Sequence, residues 1–167
     1  LSDTSTYLTI AKDPTARLER QHKKTLKELH SKREINDIIF NQLNPINSQA
    51  PYARGTVKIH KKPPKARILV CSRGSVFYNT AQHLSRILAP LGKEGKSYIS
   101  DSSTFVDQLK DANLTGTMVS YDVVDLFTNI PLQEALTILR HKLDARLDQL
   151  DTNLSIDSII KIGRAHV

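Results

Sequence analysis

The chain has 167 residues, a net charge of +7 and 39% hydrophobic residues, which suits one domain with a core of ordinary size. No apolar run approaches the length of a membrane-spanning helix and no secretory leader is visible, so a membrane or exported protein is not expected. Cys71 is the single cysteine, which excludes an internal disulfide and fits a reducing intracellular compartment, nuclear or cytoplasmic. The chain opens on Leu1 rather than Met, as expected of a reading frame clipped upstream.

Asp13-Pro14 is a helix start: Asp13 can cap, and Pro14 suits the first turn. Leu18, His22, Leu26 and Leu29 then recur at helical spacing to about Lys32, with a heavily charged opposite face. Ile35, Ile38, Ile39 and Leu43 predict a second helix from Glu34 to Leu43, stopped by Asn44-Pro45. Residues 44–52 read as a linker. Ala53 to Ile59 and Ala66 to Ser72 read as two strands of a hairpin, and Pro63-Pro64 belong in its connection because they cannot donate to a ladder. Phe77, Ala81, Leu84, Ile87, Leu88 and Leu91 predict a helix that ends at Pro90-Leu91-Gly92. A short helix capped by Ser102 or Ser103 follows, carrying Phe105, Val106 and Leu109. Thr117 to Val123 is expected as a buried strand. After Pro131, leucines from Leu132 to Leu150 predict one long amphipathic helix, and Ile156, Ile159 and Ile160 a last turn or two after Ser155. Lys161 to Val167 resembles the translation of a sequencing-library adapter, so residues 162–167 are set apart from the fold as a scar.

Charge is unevenly placed. No Asp or Glu lies between Asp37 and Glu94, a window that holds Arg54, Lys58, Lys61, Lys62, Lys65, Arg67, Arg73, Arg86 and Lys93. An unopposed basic block is the footprint of a polyphosphate or nucleic-acid partner. Asp122 closes the expected strand, where a carboxylate at a sheet's C-terminal lip can hold a hard divalent cation and, through it, a phosphate. Other chemistries lack their patterns: one cysteine and six scattered histidines give no zinc spacing, and there is no Walker loop or nucleophile elbow.

Ser120-Tyr121-Asp122-Val123-Val124-Asp125-Leu126-Phe127-Thr128-Asn129-Ile130-Pro131 resembles the first palm motif of reverse transcriptases of the Penelope-like retroelement family, relatives of telomerase reverse transcriptase. Lys58-Ile59-His60-Lys61 resembles that family's first fingers motif. Arg67 to Ser72 with Gly74-Ser75-Val76-Phe77-Tyr78-Asn79 resembles the second fingers motif and the helix start after it. The three occur in family order, and the resemblance covers residues 1–161. Val57, Ile68, Val76 and Asp125 stand where the family usually has proline, proline, proline and serine.

The resemblance implies an α/β (α+β) fold, mostly helical: a helical region at 1–52, then fingers and the first part of a right-hand palm at 53–161. It implies an RNA-directed DNA polymerase acting on an RNA template, a DNA primer and deoxynucleoside triphosphates with Mg²⁺. Asp122 becomes the metal ligand, Lys58 and Arg67 the triphosphate clamps, and Phe127 the gate against ribose. The turn from Val123 through Asp125 to Phe127 turns its amides to the triphosphate as an anion nest. Lys61, Lys62, Lys65, Arg73, Tyr78 and Asn79 are the expected contacts to nucleic acid. The family's second carboxylate motif, Tyr-x-Asp-Asp, does not occur in this sequence, so the chain is expected to be inactive alone and to expose apolar palm surface. Two readings from other classes stand beside it: a basic nucleic-acid-binding module without chemistry, and a helical interaction protein.

Overall fold

The computed structural model describes residues 9–59, 62–92, 98–110, 115–123 and 126–164. Helices dominate, and they build the core without the one small sheet. α1 (Thr15–Ser31) begins where Asp13 accepts from the backbone amide of Thr15 at 2.8 Å and from its hydroxyl at 2.6 Å. Those two bonds, the side-chain one foremost, hold the Asp13 carboxyl below its usual range. The end of α1 is a Schellman closure: Glu34 N–H donates to the Leu29 carbonyl and Arg33 N–H to that of His30. Arg33 takes the left-handed position there, with φ 60°, where glycine is usual.

Glu34 therefore does not start the second helix. α2 (Asp37–Leu43) is capped by Asn36, whose side chain accepts from the Ile39 amide at 2.9 Å. Glu34 instead accepts from the amide of Ser155 at 3.0 Å, clasping the α1–α2 turn to the loop before the last helix.

β1 (Tyr52–Lys58) and β2 (Lys65–Cys71) form an antiparallel hairpin, with Arg54 opposite Leu69 and Thr56 opposite Arg67. Gly74, at φ 78°, makes the turn after it possible: Ser75 N–H closes onto the Ser72 carbonyl, and Gly74's own carbonyl accepts from Gln49 at 3.0 Å. That last bond ties the linker entering β1 to the chain leaving β2.

α3 (Tyr78–Gly92) contains Pro90, and Lys142 donates to the Leu91 carbonyl near its end at 3.0 Å. α4 (Ser102–Lys110) is capped not by Ser102 or Ser103 but by Asp101, which accepts from the Thr104 amide at 2.8 Å; that bond, with its neighbours, pulls the Asp101 carboxyl below its usual range. α5 (Leu126–Asn129) is one turn. α6 (Leu132–Arg146) stops sooner than the leucine pattern predicts. The chain tightens into a 3₁₀ turn at Leu147–Gln149, which still delivers Leu147 and Leu150 to the core. α7 (Ile156–Arg164) completes the set.

The core joins Leu26 and Leu29 of α1, Leu43 of α2, Leu84, Ile87 and Leu91 of α3, Leu143 of α6, and Ile159 and Ile162 of α7. Ile162 is 2% exposed and lies inside a helix that runs to Arg164, so residues 162–164 belong to the fold rather than trailing from it. Between α1 and α3, His22 shares a 2.8 Å hydrogen bond with Thr80, both buried, and stands edge-on to Phe77.

The buried strand expected at Thr117 to Val123 is not there. Residues 115–123 are irregular and exposed, with Val119 at 69% and Tyr121 at 91%. The physical reason is pairing. A strand satisfies its amides and carbonyls only against a partner, and the sheet found among the described residues is the two-stranded hairpin alone.

Candidate nucleic-acid interface

The hairpin's register sorts its side chains onto two faces, because successive residues of a strand point to opposite sides. Tyr52, Arg54 and Thr56 share one face with Arg67, Leu69 and Cys71. Ala53, Gly55, Val57, Ala66, Ile68 and Val70 share the other. One face is therefore cationic and the other wholly apolar. Both are open to solvent: Arg54, Arg67 and Val57 are all exposed, and Val70 is 67% exposed. Lys58 and Lys65 are the next register pair toward the tip. Like charges placed directly opposite weaken a ladder.

Arg67 thus has a defined place, mid-strand on the cationic face, and Arg54 stands with it. Arg73 is exposed in the turn after β2, and Lys62 is exposed in the connection. No carboxylate forms an ion pair with Arg54, Arg67, Arg73 or Lys62 among the described residues. His83, on α3 in the same acid-free window, has its imidazole held below the usual range by burial and then by the neighbouring Arg86.

Tyr78 and Asn79, two of the expected contacts, also make hydrogen bonds within the fold. Asn79 donates its side-chain amide to the Gln42 carbonyl at 2.9 Å, fastening α3 to the end of α2. The Tyr78 hydroxyl accepts from Gln82 one turn on at 3.0 Å. These bonds give both residues structural work at the start of α3.

Asp122 is exposed, on the irregular segment ahead of α5, and Val123 beside it is exposed too. The carboxylate therefore sits at no sheet lip, contrary to the sequence expectation. Among the described residues, no three of His, Cys, Asp and Glu come together as a metal-holding group. Lys61 and Asp125, and the side chains of Lys58, Lys65 and Phe127, lie outside the described residues. An open cleft elsewhere, between the α1–α2 turn and Asn153, is lined by His30, Arg33, Asn36 and Asp37 and includes none of the expected site residues.

The site is thus a set of exposed cations on a two-faced arm, with one exposed carboxylate on a separate segment. Such an arrangement can bind polyanions. No described helix is long and apolar enough to cross a membrane. No family model, curated protein or solved structure matches the chain.

Proposed function

We propose that the chain is the fingers and first palm portion of an RNA-directed DNA polymerase of the Penelope-like type, with a partial right-hand fold. The observation that carries this reading is the hairpin register, which puts Arg54 and Arg67 on one exposed face without acid partners. A guanidinium offers a planar fork for phosphate oxygens, and a cation row on a two-stranded arm suits a triphosphate or a nucleic-acid backbone. Three ordered motifs around it give the reading its class.

Asp122 is the metal ligand of this proposal. Two-ion phosphoryl transfer needs several hard oxygen ligands, and Mg²⁺ keeps water and phosphate in the rest of its shell. On the 115–123 segment Asp122 is the one carboxylate, and no further His, Cys, Asp or Glu pair joins it among the described residues, so the fit to Mg²⁺ is partial and no step is routed through the ion. When bound in the complete enzyme, the ion neutralises phosphate charge. On this reading the chain's own contribution is to hold the triphosphate through Arg67 and Lys58 and to supply Asp122 as one oxygen ligand.

The test is titration of a deoxynucleoside triphosphate into the chain, with and without Mg²⁺. Arg67→Gln weakens binding at least about tenfold, roughly the worth of one charge-assisted hydrogen bond. Removing Mg²⁺ weakens the wild type but leaves Asp122→Asn unchanged. Triphosphate binding indifferent to both Mg²⁺ and Asp122 refutes the polymerase reading. One observation favours a second reading: Asp122 sits on an exposed, unpaired segment. A basic binding module without chemistry needs no such carboxylate, and its affinity is steeply salt-dependent whether or not Mg²⁺ is present.

A further inference from the structure

α1 has a second charged surface, distinct from the hairpin. Its buried residues are His22, Leu26 and Leu29. At 3.6 residues per turn, the opposite side of the helix carries Arg17, Arg20, Lys24 and Lys27, spaced i, i+3, i+7 and i+10 over about 15 Å of axis. All four are exposed.

The neighbouring acids of α1 make their close ion pairs with other cations. Glu19 pairs with Lys23 at 2.6 Å and also accepts from the Ser48 amide. Lys23 foremost, then Ser48, holds the Glu19 carboxyl below its usual range. Glu28 pairs with Lys161 of α7 at 2.7 Å. Among the described residues no carboxylate forms an ion pair with any of the four cations, and the contact recorded for Arg17 is with Gln21 at 3.5 Å. Arg20 and Lys24 are like charges at i, i+4, an arrangement that weakens a helix. α1 therefore keeps a line of like charge that close ion pairs leave open; Glu28 attracts Lys24 only weakly, its carboxyl being lowered first by Lys161.

We propose that the exposed face of α1 formed by Arg17, Arg20, Lys24 and Lys27 binds the phosphate backbone of nucleic acid without regard to sequence, independently of the hairpin. Charge complementarity selects a polyanion. The absence of exposed apolar residues along this face selects against a lipid surface, because an interfacial helix buries its apolar face in the headgroup region. The apolar face of α1 is already taken by the core. Sequence independence follows from the chemistry: phosphate contacts position a protein, whereas base contacts specify.

The test measures fluorescence anisotropy of a labelled 20-base-pair DNA duplex with the full chain across a salt series. Arg17→Gln, Arg20→Gln, Lys24→Gln and Lys27→Gln together remove four phosphate contacts. The slope of log affinity against log salt then becomes shallower by about 3 to 4, since each contact contributes about 0.9. Affinity near 100 mM salt falls at least about tenfold. Each half, Arg17→Gln with Arg20→Gln or Lys24→Gln with Lys27→Gln, removes about 1.8 from the slope, so the proposal stays testable if the fourfold variant does not fold. Arg54→Gln with Arg67→Gln lowers the slope further in the same background, which separates this face from the hairpin. An unchanged slope in both half variants overturns the proposal. So does equal, α1-dependent binding to phosphatidylserine vesicles or to polyglutamate.

Discussion

Ile162→Ala asks whether the last helix is part of the folded unit. Ile162 is 2% exposed and packs in the same cluster as Ile159, Leu84 and Leu143. Truncating a buried isoleucine to alanine costs about 2–5 kcal/mol, from lost transfer energy and the cavity left behind. Native stability is typically about 5–15 kcal/mol, so the loss is a large share of the whole. A loss of about 3 kcal/mol lowers the urea midpoint by about 1–2 M for an ordinary slope and the melting temperature by about 6–12 °C. Urea unfolding followed by circular dichroism at 222 nm is the assay, since the chain has no tryptophan. Lys161→Ala is the control: it breaks an exposed pair with Glu28 on α1, which is worth under about 1 kcal/mol. If Ile162→Ala unfolds at the same urea concentration as the wild type, α7 is not docked by this residue and the reasoning fails.

Thr80→Val removes the hydroxyl that meets Nε2 of buried His22, at nearly constant volume, and the loss of that hydrogen bond costs about 1–3 kcal/mol in the same denaturation assay. Arg33→Gly stabilises by about 0.5 kcal/mol. Relief of the left-handed backbone, about 1–2 kcal/mol, outweighs the added freedom of the unfolded chain, about 0.4–1 kcal/mol; a destabilised variant contradicts the Schellman assignment. Glu34 gives an acid limb to stability. Burial raises its pKa, but hydrogen bonds from Ser158 and Ser155 outweigh this and leave it depressed. Because the folded value lies below the unfolded one, its contribution is full above about 4.5 and is lost as pH falls through the depressed value. Glu34→Gln should flatten that part of a thermal-stability profile, and an unchanged profile rejects the clasp.

Long-range contacts divide what the sequence made legible from what it did not. The apolar spacing in α1 and α3 carries its own message, because a helix satisfies its backbone within itself and needs only one face to bury. The hairpin was readable from its β-branched residues and from Pro63-Pro64, and the register then follows from where the connection falls. Local pattern makes Glu34 a helix start, yet its partner Ser155 is 121 positions away. Thr117 to Val123 has a strand's composition, but a strand is a property of two segments, and propensity describes one. Asp101 outcompetes two serines for the α4 cap with a charged acceptor, a preference that the bare order Asp-Ser-Ser leaves open. At the candidate site, the positions of the cations were legible and their partition into faces required the register. The stripe on α1 was visible as a charged helix face; what sequence could not supply was that Glu19 and Glu28 are spoken for by Lys23 and Lys161.

The placement of these groups follows one physical division. Five helices bury their apolar stripes against one another and fix the core. Among the described residues, the hairpin and residues 115–123 add none to the joined core cluster. A two-stranded hairpin alone in water is marginal, and here it is held at its base, by Gln49 to the Gly74 carbonyl and by Ser48 to Glu19. Its cations Arg54 and Arg67 therefore sit outside the joined core cluster and open to solvent. Segments with few buried contacts open at low free energy, which is where binding elements are found. On the function proposed above, a polyanion laid across Arg54 and Arg67 would meet both guanidinium groups on one exposed face without disturbing a core contact.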